Sequence, residues 1–215
     1  MSVKLISITR PVEKETKDLT LGEYIAYIAR VSNPTNQHNH ETSDKLIRYL
    51  LKHKHFSPFE MVHLTIQIDT TRDIGRQILR HRSFCFQEHS QRYSLAPGMV
   101  ESPFEARTQD LKNRQASHVT EDQDLIDWFN DAQFHVSEIT NDYYQQAIDN
   151  GIAKELARKL LPEGLTVTRM YMCGSLRSWI HYCDVRCGIE TQLEHRDIAL
   201  AIHDIINEQL GITES

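Results

Sequence analysis

The residues best suited to chemistry in this sequence lie between positions 72 and 92. Arg80, His81 and Arg82 are consecutive, and Ser90 follows after a seven-residue spacer that also carries Glu88. Guanidinium groups bind phosphates and carboxylates through paired hydrogen bonds, whereas a carboxylate and a hydroxyl can bind ribose or base edges. The segment therefore predicts a site for a phosphorylated ligand. The alternative is that these cations only stabilise the C-terminus of a helix, where the helix dipole favours positive charge.

The spacing of arginines before this segment favours the binding-site hypothesis. A helix is predicted from Arg72 to about Arg82, which places Arg72, Arg76 and Arg80 in one stripe at i, i+4 and i+8. Asp73 is the only acid on that predicted helix, so the stripe has no partners of its own. Arg80 and Arg82 would lie about 200° apart around the helix axis. That divergence predicts two ligands, or one ligand and a neighbouring subunit.

Four further motifs give the chain a family resemblance. The Arg80-His81-Arg82 segment with Ser90 resembles the signature of the flavin-dependent thymidylate synthases. The segment His55-Phe-Ser57-Pro-Phe-Glu60 resembles that family's upstream histidine motif. Its later nucleotide and flavin segments have similar counterparts here in Ala157-Arg158, Leu176-Arg177 and Val185-Arg186. The resemblance covers most of the chain, roughly residues 24–208.

The resemblance implies conversion of dUMP to dTMP, with methylene-tetrahydrofolate as carbon donor and FAD reduced by NADPH. It also implies a homotetramer whose active sites use more than one subunit. The expected FAD contacts are Ser57, Arg80, His81, Arg82, Glu88, Ser175, Arg177 and His181. The expected dUMP contacts are Gln77, Arg80, Glu88, His89, Ser90, Gln91, Arg92, Arg158 and Arg186. The expected catalytic residues are His55, beside the flavin, and Arg186, beside the uracil.

Arg186 has a physically sensible role in such a reaction. Methylation at C5 of uracil needs a nucleophilic carbon, and one route is addition of a cysteine thiolate at C6. The resembled family instead stabilises negative charge on the ring with an arginine and takes a hydride from reduced flavin. Because arginine stays protonated, Arg186 is expected to act electrostatically and to favour the N3-deprotonated ring.

The sequence departs from the family pattern at three of these positions. Ser175 and His181 stand where the family often has Asn. Ser175 could equally serve as the N-cap of the following helix. Gln91 stands where some members have Gly, and its backbone N–H remains available for a phosphate.

The elements that must position these residues predict one α+β domain over residues 1–215, with a mixed or antiparallel sheet flanked by long helices, in an oligomer. The predicted strands are 3–9, 61–69 and 165–172, and the predicted helices are 22–31, 43–53, 72–82, 120–150, 153–161, 175–185 and 191–210. Ser43 and a capping box from Thr120 to Gln123 are the expected starts of two of them. Residues 83–103 are predicted to be irregular. Core or subunit-interface positions are expected for Trp128, Phe129, Tyr143 and Tyr144.

Composition excludes several other classes of protein. The content of 40% hydrophobic and 25% charged residues is typical of a soluble globular protein, and a cytoplasmic location is predicted. The net charge of −6 disfavours nucleic-acid binding, and no apolar run approaches the roughly 20 residues of a membrane span. His38 and His40, and likewise His53 and His55, lack further ligands at zinc spacing, so no metal site is predicted.

Three other functions stay compatible with the sequence. A nucleotide-binding regulator could use the arginines without doing chemistry, and it would lack flavin absorbance. A nucleic-acid module could combine the arginine stripe with Phe84, Phe86 and Tyr93 as stacking faces, and its binding would depend steeply on salt. A related enzyme could act on another pyrimidine monophosphate, because the sequence does not display the geometry that reads the base.

We predict that no cysteine is the nucleophile of the reaction. Cys173, Cys183 and Cys187 lie outside the Arg80–Ser90 segment, and Cys85 lies only in its spacer. Replacing all four with Ser or Ala should leave dTMP formation measurable in folded protein. Loss of dTMP formation in one folded, flavin-loaded single variant would contradict the prediction.

Overall fold

The computed structural model describes residues 1–211 and confirms an α+β fold. Its main sheet has four antiparallel strands in the order β1-β2-β6-β3. These strands are β1 (Ser2–Ile8), β2 (His63–Thr71), β3 (Cys85–Glu88) and β6 (Val167–Ser175). A separate hairpin pairs β4 (Arg107–Gln109) with β5 (Ser117–Val119). The predicted sheet is therefore antiparallel rather than mixed.

Seven helices accompany the strands over residues 1–211. They are α1 (Leu21–Ala29), α2 (Ser43–Lys52), α3 (Arg72–Ile78), α4 (Gln123–Asp149), α5 (Lys154–Ala157), α6 (Leu176–Arg186) and α7 (Leu193–Leu210). Side chains of α1, α2, α3, α6 and α7 form one hydrophobic cluster with the sheet. No helix within this range combines the length and apolarity needed to cross a membrane.

The pairing of β2 with β6 organises the sheet. Inward side chains alternate along both strands, so that Leu64 and Ile66 on β2 and Met170 and Met172 on β6 are fully buried. The opposite face is polar and carries the Asp69–Arg169 ion pair. The alternation of apolar and polar residues in the sequence thus predicted the face of β2 that enters the core.

α3 and α6 begin at opposite ends of this strand pair. Thr71, the last residue of β2, pairs with Val167, and α3 follows directly. Ser175, the last residue of β6, pairs with His63 at the other end, and α6 follows directly. The indole N–H of Trp179 donates to the backbone oxygen of Leu64 at 3.3 Å and anchors α6 on β2. The two helices therefore run toward each other over the core face of the sheet.

The predicted helix over 72–82 is too long by about one turn. α3 ends at Ile78, and Arg80 lies in the turn that follows. Arg80 and Arg82 therefore do not share a helix, and the 200° divergence inferred from helical geometry does not hold. The shortening has a physical reason, because the chain must reverse within six residues to enter β3 at Cys85.

The N-caps of two helices differ from the predicted N-caps. The box at Thr120 is not formed, since Asp122 is the N-cap of α4 and its side chain accepts from the Leu125 N–H at 3.2 Å. Ser43 lies inside α2, and its buried hydroxyl has no hydrogen-bond partner among residues 1–211. Gly211, at φ 69°, ends α7 in the left-handed conformation, as expected for a glycine at that position.

Two strand regions were missed by the sequence analysis. β3 lies inside the segment predicted to be irregular, and it pairs with β6 at the sheet edge. The hairpin of β4 and β5 has only three residues per strand, and β5 is exposed throughout. Such short or edge strands lack the apolar alternation that reveals β2.

We predict that Gly174→Ala destabilises the protein. A Cβ at Gly174 would overlap the ring of the buried Phe84, approaching its Cε1 to 2.7 Å. Displacing a packed ring costs about 1–3 kcal/mol. Urea unfolding should show this loss, whereas Gly164→Ala, where nothing lies within 4 Å of the new Cβ, should change the free energy of unfolding far less. Equal effects of the two changes would refute the argument.

Candidate active site

The C-terminal end of α6 meets the turn after α3 at a contact between Arg186 and His81. The Nε–H of Arg186 donates to His81 Nε2 at 3.0 Å. The His81 ring also packs edge-on against Tyr182, with ring centroids 4.9 Å apart. Because both helices point their C-termini here, their dipoles favour the positive charge of Arg186.

His81 must be neutral to accept this hydrogen bond. Burial, the Arg186 guanidinium and, to a smaller degree, His181 lower the pKa of His81 to about 4. The imidazole therefore acts as a neutral acceptor near neutral pH, with its proton on Nδ1. It holds Arg186 through Nε and leaves the two terminal amino groups of the guanidinium without partners among residues 1–211.

A second histidine, His195, completes this part of the site and was missed by the sequence analysis. It is fully buried, and its Nε2 lies 3.0 Å from the Tyr182 hydroxyl while its Nδ1 lies 3.3 Å from Gln77 Oε1. Burial, with help from Arg186 and His81, lowers the pKa of His195 to about 3. A single histidine on an amphipathic helix gave no sequence signal, since a buried structural residue has the same pattern.

A second group of predicted residues lies around Glu88 and Arg158. Glu88 Oε1 accepts from Thr168 at 2.9 Å and from Arg72 at 3.3 Å. Arg76 forms a two-pronged ion pair with Glu163. The prediction that these arginines are unpaired is therefore wrong for Arg72 and Arg76, because carboxylates from other parts of the sequence form ion pairs with both.

Gln91 marks the place in this group that is prepared for a ligand. It is 4% exposed, and its Nε2 has no hydrogen-bond partner within the described chain. A cleft of about 460 Å³ is lined by Arg72, Arg76, Gln91, Arg158, Lys159, Leu161 and Glu163. A buried donor without an acceptor costs about 1–3 kcal/mol, which a ligand oxygen in this cationic cleft would recover.

A third group joins the histidine motif to the start of α6. Glu60 accepts from the Ser175 hydroxyl at 2.7 Å and from Arg177 at 2.6 Å, and these bonds lower the pKa of Glu60. Ser175 also accepts from the Ser178 N–H at 3.3 Å, so it is the N-cap of α6. Both capping and the Glu60 contact thus occupy Ser175. Ser57 is exposed at the start of a short 3₁₀ segment.

His55 is positioned by the C-terminus of α2. Its N–H donates to Leu50 O at 2.9 Å, and the Lys54 N–H donates to Leu51 O at 3.1 Å. Lys54 has φ 55°, so the pattern is a Schellman motif with lysine in the left-handed position that glycine usually fills. His55 itself is exposed and lies beside Tyr49.

The remaining predicted residues lie on the surface around these groups. Arg80 and Arg82 are exposed and form no ion pair within residues 1–211. His89 bonds Leu95 O at 3.0 Å, and Arg92 lies 3.5 Å from Glu155. Ser90 and His181 are exposed.

The predicted site residues thus form three groups rather than one pocket. The first contains Gln77, His81 and Arg186, the second Glu88, Gln91 and Arg158, and the third Ser175 and Arg177 with Glu60. No three His, Cys, Asp or Glu side chains within residues 1–211 cluster as metal ligands would. Fold and side chains together define an α+β protein with a cation-rich site suited to anionic ligands.

Comparison with known proteins identifies the family to which the chain belongs. Residues 18–210 match the family described as thymidylate synthase complementing protein. The chain is 50% identical over 206 residues to the flavin-dependent thymidylate synthase of Synechocystis sp., covering 95% of this chain and 94% of that protein. It is 46% identical to the probable flavin-dependent thymidylate synthase of Paramecium bursaria Chlorella virus 1, covering 95% and 93%. The chain belongs to the thymidylate synthase complementing protein family.

A solved structure shares the fold. The UMP/dUMP methylase PolB from Streptomyces cacaoi, bound with 5-Br UMP, superposes with a TM-score of 0.81 at 24% sequence identity. The match covers 99% of this chain and 91% of PolB. The arrangement of the sheet and helices is therefore one that this methylase also adopts.

We predict that His195 makes the protein less stable in acid. The unfolded chain binds a proton on this side chain near pH 6.5, whereas the folded chain does so only near pH 3. Its contribution is complete above pH 6.5 and falls as the pH drops, by about 2 kcal/mol at pH 5. Urea unfolding of His195→Gln at pH 7 and pH 5 should lack that part of the loss. The matched change at the exposed His38 should keep it, and an identical pH dependence in His195→Gln would refute the prediction.

Proposed function

We propose that this protein converts dUMP to dTMP as a flavin-dependent thymidylate synthase. The observation that carries the proposal is the Arg186–His81 contact, which presents a fixed guanidinium with free donors beside neutral imidazoles. Membership of the family and the names of its relatives as flavin-dependent thymidylate synthases support the same reaction.

The chain offers suitable groups for FAD. Arg80 and Arg82 are exposed cations, and Glu60 already fixes Arg177 at 2.6 Å. A diphosphate binds best to several guanidinium groups at once, so these residues fit the cofactor. Ser57, His81, Glu88, Ser175 and His181 complete the proposed set of contacts. The reduced flavin supplies the hydride of the reaction.

Arg186 and Gln77 are proposed to hold the uracil ring. His81 takes the Nε–H of Arg186, so the terminal amino groups can face a ring carbonyl. A guanidinium in that place stabilises the anionic ring more than the neutral one, which lowers the barrier to methylation at C5. The proposed phosphate and ribose contacts are His89, Ser90, Gln91, Arg92 and Arg158, with Glu88.

We infer that a complete site requires more than one subunit in a homotetramer. Gln77 and Arg186 lie in one group of residues, whereas Gln91 and Arg158 line another cleft. The long helix α4 supports assembly, because Trp128 and Tyr143 are 64% and 59% exposed there although large aromatic side chains usually seek burial. Of the aromatic residues predicted for core or interface, only Tyr144 is deeply buried.

Methylene-tetrahydrofolate and NADPH are proposed as co-substrates, with His55 beside the flavin. We also propose a single domain, since one cluster of buried residues joins the sheet to five helices. The four cysteines are free thiols, which fits a cytoplasmic location.

Arg186→Ala should slow dTMP formation about 10²–10³-fold, the effect of removing one preorganised donor of about 2.7–4 kcal/mol. Arg186→Lys should also be impaired, because lysine keeps the charge but loses the Nε–H that His81 accepts. Anaerobic turnover with dUMP, methylene-tetrahydrofolate, FAD and NADPH measures dTMP directly.

Flavin reduction by NADPH provides the control for this experiment. It involves no uracil chemistry, so stopped-flow absorbance should show a much smaller effect in Arg186→Ala. If both rates fall together, or neither falls, Arg186 does not activate the uracil. A protein that binds dUMP but never acquires flavin absorbance would instead be a nucleotide-binding regulator.

A further inference from the structure

A continuous hydrogen-bond chain runs from a buried ion pair to Gln77. Arg107 forms an ion pair with Glu194 Oε1, and both side chains are largely buried. Glu194 Oε2 accepts from Gln192 Nε2 at 2.9 Å. Gln192 Oε1 accepts from Gln77 Nε2 at 2.8 Å, and beyond Gln77 the chain continues through His195 to Tyr182.

The carboxylate of Glu194 fixes the direction of every bond in this chain. An ionised carboxylate can only accept, so Gln192 must present its NH₂ group to Glu194 and its oxygen to Gln77. Gln77 must then present its own NH₂ group to Gln192 and its oxygen to His195. His195 in turn carries its proton on Nδ1 and accepts from Tyr182 through Nε2. The negative charge of Glu194 therefore determines the orientation of both amides, Gln192 and Gln77.

Gln77 therefore reaches the nucleotide site with a fixed order of donor and acceptor. Its amide keeps one free N–H and one free lone pair after the bonds to Gln192 and His195 are made. An unconstrained glutamine could rotate its amide by 180° and exchange the two. Here that rotation would set the oxygens of Gln77 and Gln192 against each other. If Gln192 turned as well, its oxygen would instead face the Glu194 carboxylate, so one acceptor is left unpaired in either case.

Uracil and cytosine differ in the property that a fixed amide can read. Neutral uracil, the form that binds before charge develops on the ring, presents a carbonyl oxygen at C4 and an N–H at position 3, whereas cytosine presents an amino group and a bare nitrogen at those places. Suppose that Arg186 holds the base in one position and that the Gln77 amide fits the C4–N3 edge of uracil. With cytosine in the same position, the amide N–H would face the amino group at C4, and the amide oxygen would face the bare nitrogen at position 3. A rotating amide would accept both bases.

We propose that Glu194, acting through Gln192, locks the amide of Gln77 and so makes the site select uracil over cytosine nucleotides. The inference rests on the proposed function, which places the base beside Gln77 and Arg186. Gln192 and Glu194 are specificity-positioning residues in this scheme and do not touch the base.

Gln192→Leu and Gln192→Glu form a matched pair that tests the lock. Gln192 is exposed, so neither change opens a cavity in the core. Leucine cuts the chain, after which Tyr182, His195 and Gln77 can all reverse their roles. Glutamate can only accept from Gln77, so it preserves the orientation. The measurement is the ratio of the dissociation constants of dCMP and dUMP, obtained by calorimetry on flavin-loaded protein.

We expect Gln192→Leu to lower this ratio about tenfold or more, mainly through tighter dCMP binding, which corresponds to one relieved mismatch of about 1.4 kcal/mol. Gln192→Glu should keep the ratio of the unaltered protein. Tyr182→Phe should also keep it, because the lock is set from the Glu194 end. An unchanged ratio in Gln192→Leu, or an equal loss in Tyr182→Phe, would overturn the inference while leaving the proposed function standing. Failure of the unaltered protein to bind dUMP would overturn both.

Discussion

The nine-residue pairing of β2 with β6 is the constraint on which the site depends. Its register, from His63 opposite Ser175 to Thr71 opposite Val167, is enforced by side chains that are buried along one face. A slip by one residue would turn those side chains to the polar face. The register also sets where α3 and α6 begin, and therefore where Arg186 meets His81. A contact across 105 positions of sequence is thus fixed by hydrophobic burial in the sheet.

The structure divides the arginines into two kinds. Arg72 and Arg76 are neutralised by Glu88 and Glu163, so they shape the cleft without adding an unpaired charge. Arg186 is instead held by a neutral ring, which orients the guanidinium and leaves its charge uncompensated. Such an arrangement is costly for the folded protein but useful for an anionic ligand, because the charge needs no rearrangement when the ligand binds.

Local patterns predicted the helices and strands that have a clear apolar face, and the resemblance predicted the family. β2 and α2 followed from their periodicity, and Gly211 from the usual end of a helix. β3 was missed because it has only four residues at the sheet edge, and Phe86 beside the polar Gln87 and Glu88 gives no apolar alternation to recognise. The partners of Arg72 and Arg76 were missed because Glu163 lies 87 residues away from Arg76 in the sequence. The chain through Gln192 depends on six side chains meeting in space, and no local pattern encodes that.

The Nε2 of Gln91 finds no acceptor in the part of the chain that the structure describes, and this has a thermodynamic consequence. Folding has already removed its NH₂ group from water, so the dehydration penalty is carried by the ligand-free protein. A ligand oxygen placed there gains a hydrogen bond without that penalty, and part of the binding free energy is thereby stored in the fold. The same coupling works in reverse, since any ligand that binds only the folded chain shifts the unfolding equilibrium toward the native state in proportion to its concentration. Ligand supply would then set the fraction of the protein that stays folded.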